Sequence, residues 1–136
     1  MITALDTNVL LDILGPDPVF GPASASAVRR SMAQGRHVAC EIVWAELSAN
    51  FPSPAATREA MRRLGIEFSN VTEETALAAG RLWKEHRRGG GARSRVVADF
   101  LVGAHALYQA DRLLTRDRGF YRTYFKRLSV LDPAAR

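Results

Sequence analysis

The chain has 136 residues, 47% of them hydrophobic and 24% charged, a formal charge of +5 and one cysteine. That size suits a single domain around one core, and the composition excludes a largely disordered or collagen-like chain. One cysteine, Cys40, excludes an internal disulfide and a CxxC-type zinc site, and no apolar run approaches the ~20 residues of a membrane span.

In chain order, Ile2 to Leu5 reads as a short buried strand, after which Thr7 and Asn8 can cap a helix from Val9 to Leu14 that Gly15 and Pro16 stop. Gly21-Pro22 opens a second helix to about Ala33, closed by Gly35, and His37 to Cys40 is the second strand. Glu41 to Asn50 and Pro54 to Leu64 are helical, the first ended by Phe51-Pro52 and the second by Gly65. A brief strand, Ile66 to Phe68, precedes a helix capped by Thr72 that frays at Arg87-Arg88. Gly89 to Gly91 form a loop too short to divide domains, and Ser94 to Ala110 is the next helix. Arg112 to Thr115 and Leu128 to Leu131 are strands, with a short helix between them around Phe120 to Phe125. Strands alternating with helices predict an α/β domain with a parallel sheet covered on both faces.

Four carboxylates stand out against this pattern. Asp6 and Asp117 follow the apolar runs of two strands, where open α/β sheets place their ligand crevices, although an Asp at a strand end also serves as a turn former or helix cap. Glu46 falls between Ile42 and Val43 on a helical wheel, inside the apolar arc, where a solvated glutamate is not expected. Asp99 lies away from the face formed by Val97, Phe100, Leu101, Ala104 and Tyr108, and shares its side with Gly103 and Ala106, which would leave room for a ligand. An ordinary solvent-facing acid fits Asp99 equally well.

Four such acids gathered without a cation would repel one another and raise their own pKa values. An all-oxygen donor set points to Mg²⁺ or Mn²⁺, and His37, His86 and His105 have no metal-ligand spacing, so packing or surface positions are expected for them. Such ions support phosphoryl-transfer chemistry. Setting those acids aside leaves about +9 on the rest of the chain, and seventeen of the nineteen basic residues are Arg. A polyanion, RNA or DNA, is therefore the expected large partner. The N-terminus has no basic leader, and Asp6, Asn8 and Asp12 interrupt any signal-peptide core, so a cytoplasmic protein is expected.

The stretches ALDTNVLLDIL, EIVWAELSANF, RVVADFLVGAHAL and LLTRDRGFYRTYF, which span nearly the whole chain, resemble a PIN-domain ribonuclease and, more narrowly, the VapC toxins of type II toxin–antitoxin pairs. The resemblance implies a single PIN-like domain over residues 1–136 with a five-stranded parallel sheet between helices. It also implies a Mg²⁺- or Mn²⁺-dependent endoribonuclease site on Asp6, Glu46, Asp99 and Asp117, with Asn8 and Thr115 orienting the carboxylates and bound water. In-line attack of water on RNA would leave 5′-phosphate and 3′-hydroxyl ends. A homodimer and a co-encoded VapB-like antitoxin that blocks the cleft are implied as well. Some members carry a further acid just after the position of Asp117, where this chain has Arg118 and Gly119, which leaves open whether one or two metals bind.

Arg87, Arg88, Arg93 and Arg95 flank the triple glycine and, with Arg116, are expected to hold the RNA backbone; a loop that is merely solvated would carry the same residues. Phe120, Tyr121 and Tyr124 offer base-stacking surfaces, with core packing expected for at least two of them. A phosphoacceptor receiver domain would need a lysine late in the sheet, which Lys84 and Lys126 do not supply. The chain could instead be a non-toxin RNA-processing nuclease or a non-catalytic RNA-binding module, and the complete acid quartet disfavours the second.

Overall fold

The computed structural model describes residues 1–90 and 95–134. Its strands are β1 (Ile2–Leu5), β2 (Arg36–Ala39), β3 (Ile66–Phe68), β4 (Arg112–Leu114) and β5 (Val130–Leu131). The helices are α1 (Thr7–Leu14), α2 (Gly21–Met32), α3 (Glu41–Ser48), α4 (Pro54–Arg63), α5 (Glu73–Arg88), α6 (Val97–Gln109) and α7 (Arg118–Tyr124). All strand pairs are parallel, in the order β3-β2-β1-β4-β5, the α/β arrangement expected from the sequence. Ala4 at the centre of the sheet lies opposite Val38 on one side and Leu113 on the other. Among the described residues no helix is long and apolar enough to cross a membrane.

Consecutive residues point to opposite faces of a strand, so burial of Thr3, Ala4 and Leu5, and of His37, Val38 and Ala39, requires cover on both sides. The connections β1 to β2 to β3 run one way across the sheet and those to β4 and β5 run back the other way. Right-handed crossovers therefore put α1 to α4 on one face and α5 to α7 on the other. On the second face Phe100, Phe120, Tyr124 and His86 meet edge to face or tilted, with centroids 4.9 to 5.7 Å apart. Gly103 of α6 belongs to this packing: a Cβ there would lie 2.5 Å from Cζ of Phe125. The space that Gly103 frees is thus taken by an aromatic ring, so the small residue there serves packing.

Two buried histidines between the elements are paired with hydroxyls. His37 meets the Ser31 hydroxyl at 2.7 Å and His105 meets that of Ser69 at 3.0 Å. Burial lowers both imidazole pKa values, with Arg112 adding to the effect on His37. His86 packs against Tyr124 and Phe100. α4 starts on Ser53, whose hydroxyl accepts from Ala56 N, and its end is turned by Gly65 at φ 68°, a left-handed conformation that favours glycine.

Three helix starts differ from the sequence reading, α7 beginning at Arg118 rather than around Phe120. α1 begins at Thr7 because Asp6 itself is the cap, its Oδ1 accepting from Thr7 N at 2.8 Å. α6 begins at Val97, with Ser94 outside the described residues.

Candidate functional site

The order of strands reverses between β1 and β4, and at such a switch point the two crossovers diverge and leave a crevice beyond the strand ends. Asp6 sits at that point. Its backbone N–H donates to Leu114 O at 3.0 Å, continuing the β1–β4 ladder and fixing the residue in place. Its Oδ2 accepts from Thr115 Oγ1 at 2.8 Å, Tyr121 Oη at 3.2 Å and Asn8 Nδ2 at 3.4 Å. Burial pushes the Asp6 carboxyl above its ordinary range, bonds from Thr115, Thr7 and Tyr121 pull it back, and the negative charge of Glu46 pushes it up again.

Thr115 organises the crevice. Its hydroxyl donates to Asp6 and accepts from Asn8 Nδ2 at 3.3 Å and from Asp117 N at 3.0 Å, which uses its whole hydrogen-bonding capacity. Asn8 closes the circuit, its Oδ1 accepting from Arg116 N at 3.1 Å. The two residues expected to orient the acids thus connect the ends of β1 and β4.

The other three carboxylates reach this crevice from separate elements. Glu46 of α3 is exposed, which corrects the expectation of a buried position, yet its Oε1 accepts from Thr7 Oγ1 at 2.9 Å, one residue from Asp6. The buried stripe of α3 is Val43 and Leu47, and Glu46 lies on its flank. Asp99 is half-buried in the first turn of α6, with Oδ2 accepting from Val96 N at 3.0 Å. Asp117 stands at the N-cap of α7 but caps nothing; its two oxygens face the guanidinium of Arg95.

Tyr121 joins them. Burial first, then the charge of Asp6 and its bond, then the charges of Asp99 and Asp117, push this phenol well above its ordinary range, so it stays a hydrogen-bond donor. Enclosed against Asp6, it is not available for base stacking.

Among the described residues no three His, Cys, Asp or Glu side chains are already grouped to hold a metal ion. The contacts explain why: Asp117 is held by Arg95, Asp99 turns one oxygen to Val96 N, and Glu46 leans on Thr7. The donor chemistry nevertheless suits a hard divalent cation, since it is all carboxylate oxygen and includes a buried Asp6 that, among the described residues, is bonded by hydroxyls, an amide and a backbone N–H rather than by a cationic side chain.

Of the arginines expected to hold RNA, Arg87 and Arg88 are exposed at the end of α5, Arg87 lying 4.7 Å from the Trp83 ring centre. Arg93 lies outside the described residues. Arg95 is half-buried on Asp117. Arg116 has a structural job: its Nε and Nη2 donate to Asp12 at 2.7 and 3.0 Å, and its guanidinium covers the Phe20 ring at 3.9 Å. Asp12, buried in α1, also accepts from Ser24 Oγ of α2 at 2.8 Å. The sequence reading missed Asp12 as an anchor, although an acid set within the apolar Leu10 to Leu14 stretch is the same kind of signal that singled out Glu46.

A groove of about 640 Å³ lies elsewhere, toward the other end of α6, lined by Arg81, Glu85, Leu107, Tyr108 and Arg127 among others. It contains none of the four acids. Strand-end topology and the carboxylates locate the candidate site more securely than volume, because open α/β sheets place their ligands beyond the strand ends at the switch point.

The chain is similar in structure to VapBC2 from Rickettsia felis bound to a DNA fragment from its promoter, with TM-score 0.76 and 17% identity over 97% of this chain and 98% of that one. It is similar also to VapBC-1 from nontypeable Haemophilus influenzae, with TM-score 0.75 and 20% identity over 99% and 100% of the two chains. A toxin–antitoxin complex from Klebsiella pneumoniae matches with TM-score 0.69 and 18% identity over 98% and 99%. At these identities the likeness is one of fold. No curated protein sequence matches the chain significantly. Residues 3–126 match the PIN domain family, so the strand order, the acids at the strand ends and the sequence itself agree, and the chain belongs to that family.

Proposed function

We propose that this protein is a metal-dependent endoribonuclease, the toxin of a type II toxin–antitoxin pair, acting as a single nuclease domain over residues 1–136 in the cytoplasm. The observation that carries the reading is the buried Asp6 at the sheet's switch point, with the charge of Glu46 acting on it and those of Asp99 and Asp117 acting on Tyr121 beside it. PIN nucleases generally use divalent metals, and Mg²⁺ or Mn²⁺ matches the oxygen-only donors. Asp6, Glu46, Asp99 and Asp117 would hold the ion.

When bound, the cation supplies Lewis-acid polarisation of the phosphate and acidifies water. The chain's own residues do the positioning. Thr115, Asn8 and Tyr121 fix the rotamer of Asp6 through its Oδ2, and Asn8 holds the backbone that leads into Asp117. Water attacks the scissile phosphorus in line, and the bond to the 3′ oxygen breaks, leaving 5′-phosphate and 3′-hydroxyl ends. Exposed Arg87 and Arg88, together with Arg93, supply phosphate contacts along the substrate.

The complexes whose fold this chain shares are named as VapBC or toxin–antitoxin assemblies, which supports a VapB-like antitoxin as partner; a homodimer as the working unit belongs to the proposal on family resemblance alone. Purified protein incubated with structured RNA and Mn²⁺ is expected to cut it, and Asp6→Asn and Asp99→Asn to abolish cutting. Cleavage that survives both substitutions refutes the assignment. Toxicity on expression, relieved by a small protein encoded immediately upstream, distinguishes a toxin from an RNA-processing nuclease.

A further inference from the structure

Building on the nuclease reading, we propose that Arg95 is a tethered cation occupying the acid crevice, and that a divalent ion gains Asp117 only by displacing its guanidinium. Several independent contacts define the position. Two guanidinium nitrogens donate to the two oxygens of Asp117, Nη2 to Oδ1 at 3.2 Å and Nη1 to Oδ2 more closely. The guanidinium carbon lies 4.3 Å from the centre of the Phe120 ring, so an aromatic face from α7 holds it from behind. The negative charges of Asp117 and Asp99 both act on it.

A forked, charge-assisted pair uses both oxygens of Asp117. Coordination by Mg²⁺ or Mn²⁺ needs an oxygen about 2.1 Å from the ion, and two cations cannot share that carboxylate without strong repulsion. Arg95 immediately precedes the N-cap of α6 and lies four residues before Asp99, so the competing charge is tethered beside the helix that carries one of the acids. Exchange needs only a side-chain movement: the backbone positions of Asp6 and Thr115 are set by the β1–β4–β5 ladder and stay where they are. The device neutralises Asp117 without metal and sets a concentration threshold for loading. It also accounts for the lack of a ready-made metal group among the described residues, since Asp117 is turned to its guanidinium partner.

Calorimetric titration of the full-length, metal-stripped protein with Mn²⁺ tests the competition, using the parent, Arg95→Gln, Arg95→Lys and Asp6→Asn. Mn²⁺ is expected to bind about tenfold more tightly to Arg95→Gln than to the parent, as removal of a competing closed state requires. The melting temperature of Arg95→Gln is expected to fall below that of the parent without metal and to rejoin it at saturating Mn²⁺. Arg95→Lys, which keeps the charge and loses the fork, falls between, and gives the same sign if Arg95→Gln does not fold. Equal or weaker Mn²⁺ affinity in the folded variants overturns the competition and leaves the nuclease reading standing. Mn²⁺ binding that is indifferent to Asp6→Asn, or absent from parent and variants alike, overturns both.

Discussion

Replacing Arg116 with alanine strands Asp12, whose side chain is 4% exposed, with the Ser24 hydroxyl as its remaining side-chain partner. Removing one member of a buried pair typically costs about 3–5 kcal/mol, mostly because the other charge stays buried. The Arg116 side chain is 31% exposed, so water can follow it out, and Ser24 retains one bond. Those two facts place the loss near the lower bound, about 3 kcal/mol, equivalent to a fall in melting temperature of roughly 10 °C for a chain of this size. Urea unfolding followed by tryptophan fluorescence measures it as a lower midpoint at unchanged slope. An arginine that merely faced solvent or RNA would change stability by less than about 0.5 kcal/mol. Combining Asp12→Asn with Arg116→Gln removes the stranded charge and is expected to recover much of the loss. A midpoint that hardly moves in Arg116→Ala, together with weakened RNA binding, refutes the structural role and restores the phosphate-contact one.

Tyr121→Phe removes one of the donors to Asp6 and is expected to slow cleavage by roughly 10–100-fold while stability falls by only about 1 kcal/mol; unchanged rates with saturating Mn²⁺ would reduce Tyr121 to packing. Gly103→Ala introduces a Cβ 2.5 Å from Phe125 Cζ and should destabilise by about 1–3 kcal/mol, read as an earlier urea midpoint. His37 and His105 have lowered pKa values when folded, against 6.5 for the ordinary group. Above 6.5 both states are neutral there, and below it the unfolded chain takes up protons first, so stability declines as pH falls from about 6.5 toward the folded values. His37→Gln combined with His105→Gln should flatten that decline; an identical slope in the double variant would assign the acid sensitivity to other groups.

The parallel sheet was legible because buried strands write themselves as short apolar runs, and the acids ending two of those runs marked the crevice. Glu46 shows the limit of the helical wheel. In an eight-residue helix the arc spanned by Ile42 and Val43 includes a flank that solvent reaches, and only the fold shows that this flank meets Thr7. Asp6 illustrates a second limit, since capping and site duty looked like competing uses and the carboxylate does both, with a different oxygen for each. Tyr121 left no local trace: its partner Asp6 is 115 residues away, and its aromatic neighbours in sequence suggested stacking instead. Arg95 and Arg116 looked alike as basic residues near acids, and their separate partners, Asp117 and Asp12, emerge only once α1, α6 and α7 converge.

The central strand carries the first acid, yet the hydroxyls that steady it arrive 109 and 115 residues later. During synthesis the ribosome therefore releases the completing pieces late, after both outer strands on the other side have already emerged. A half-made chain therefore lacks the hydroxyls that hold the Asp6 carboxylate in place, and the crevice is completed only when the last helix packs.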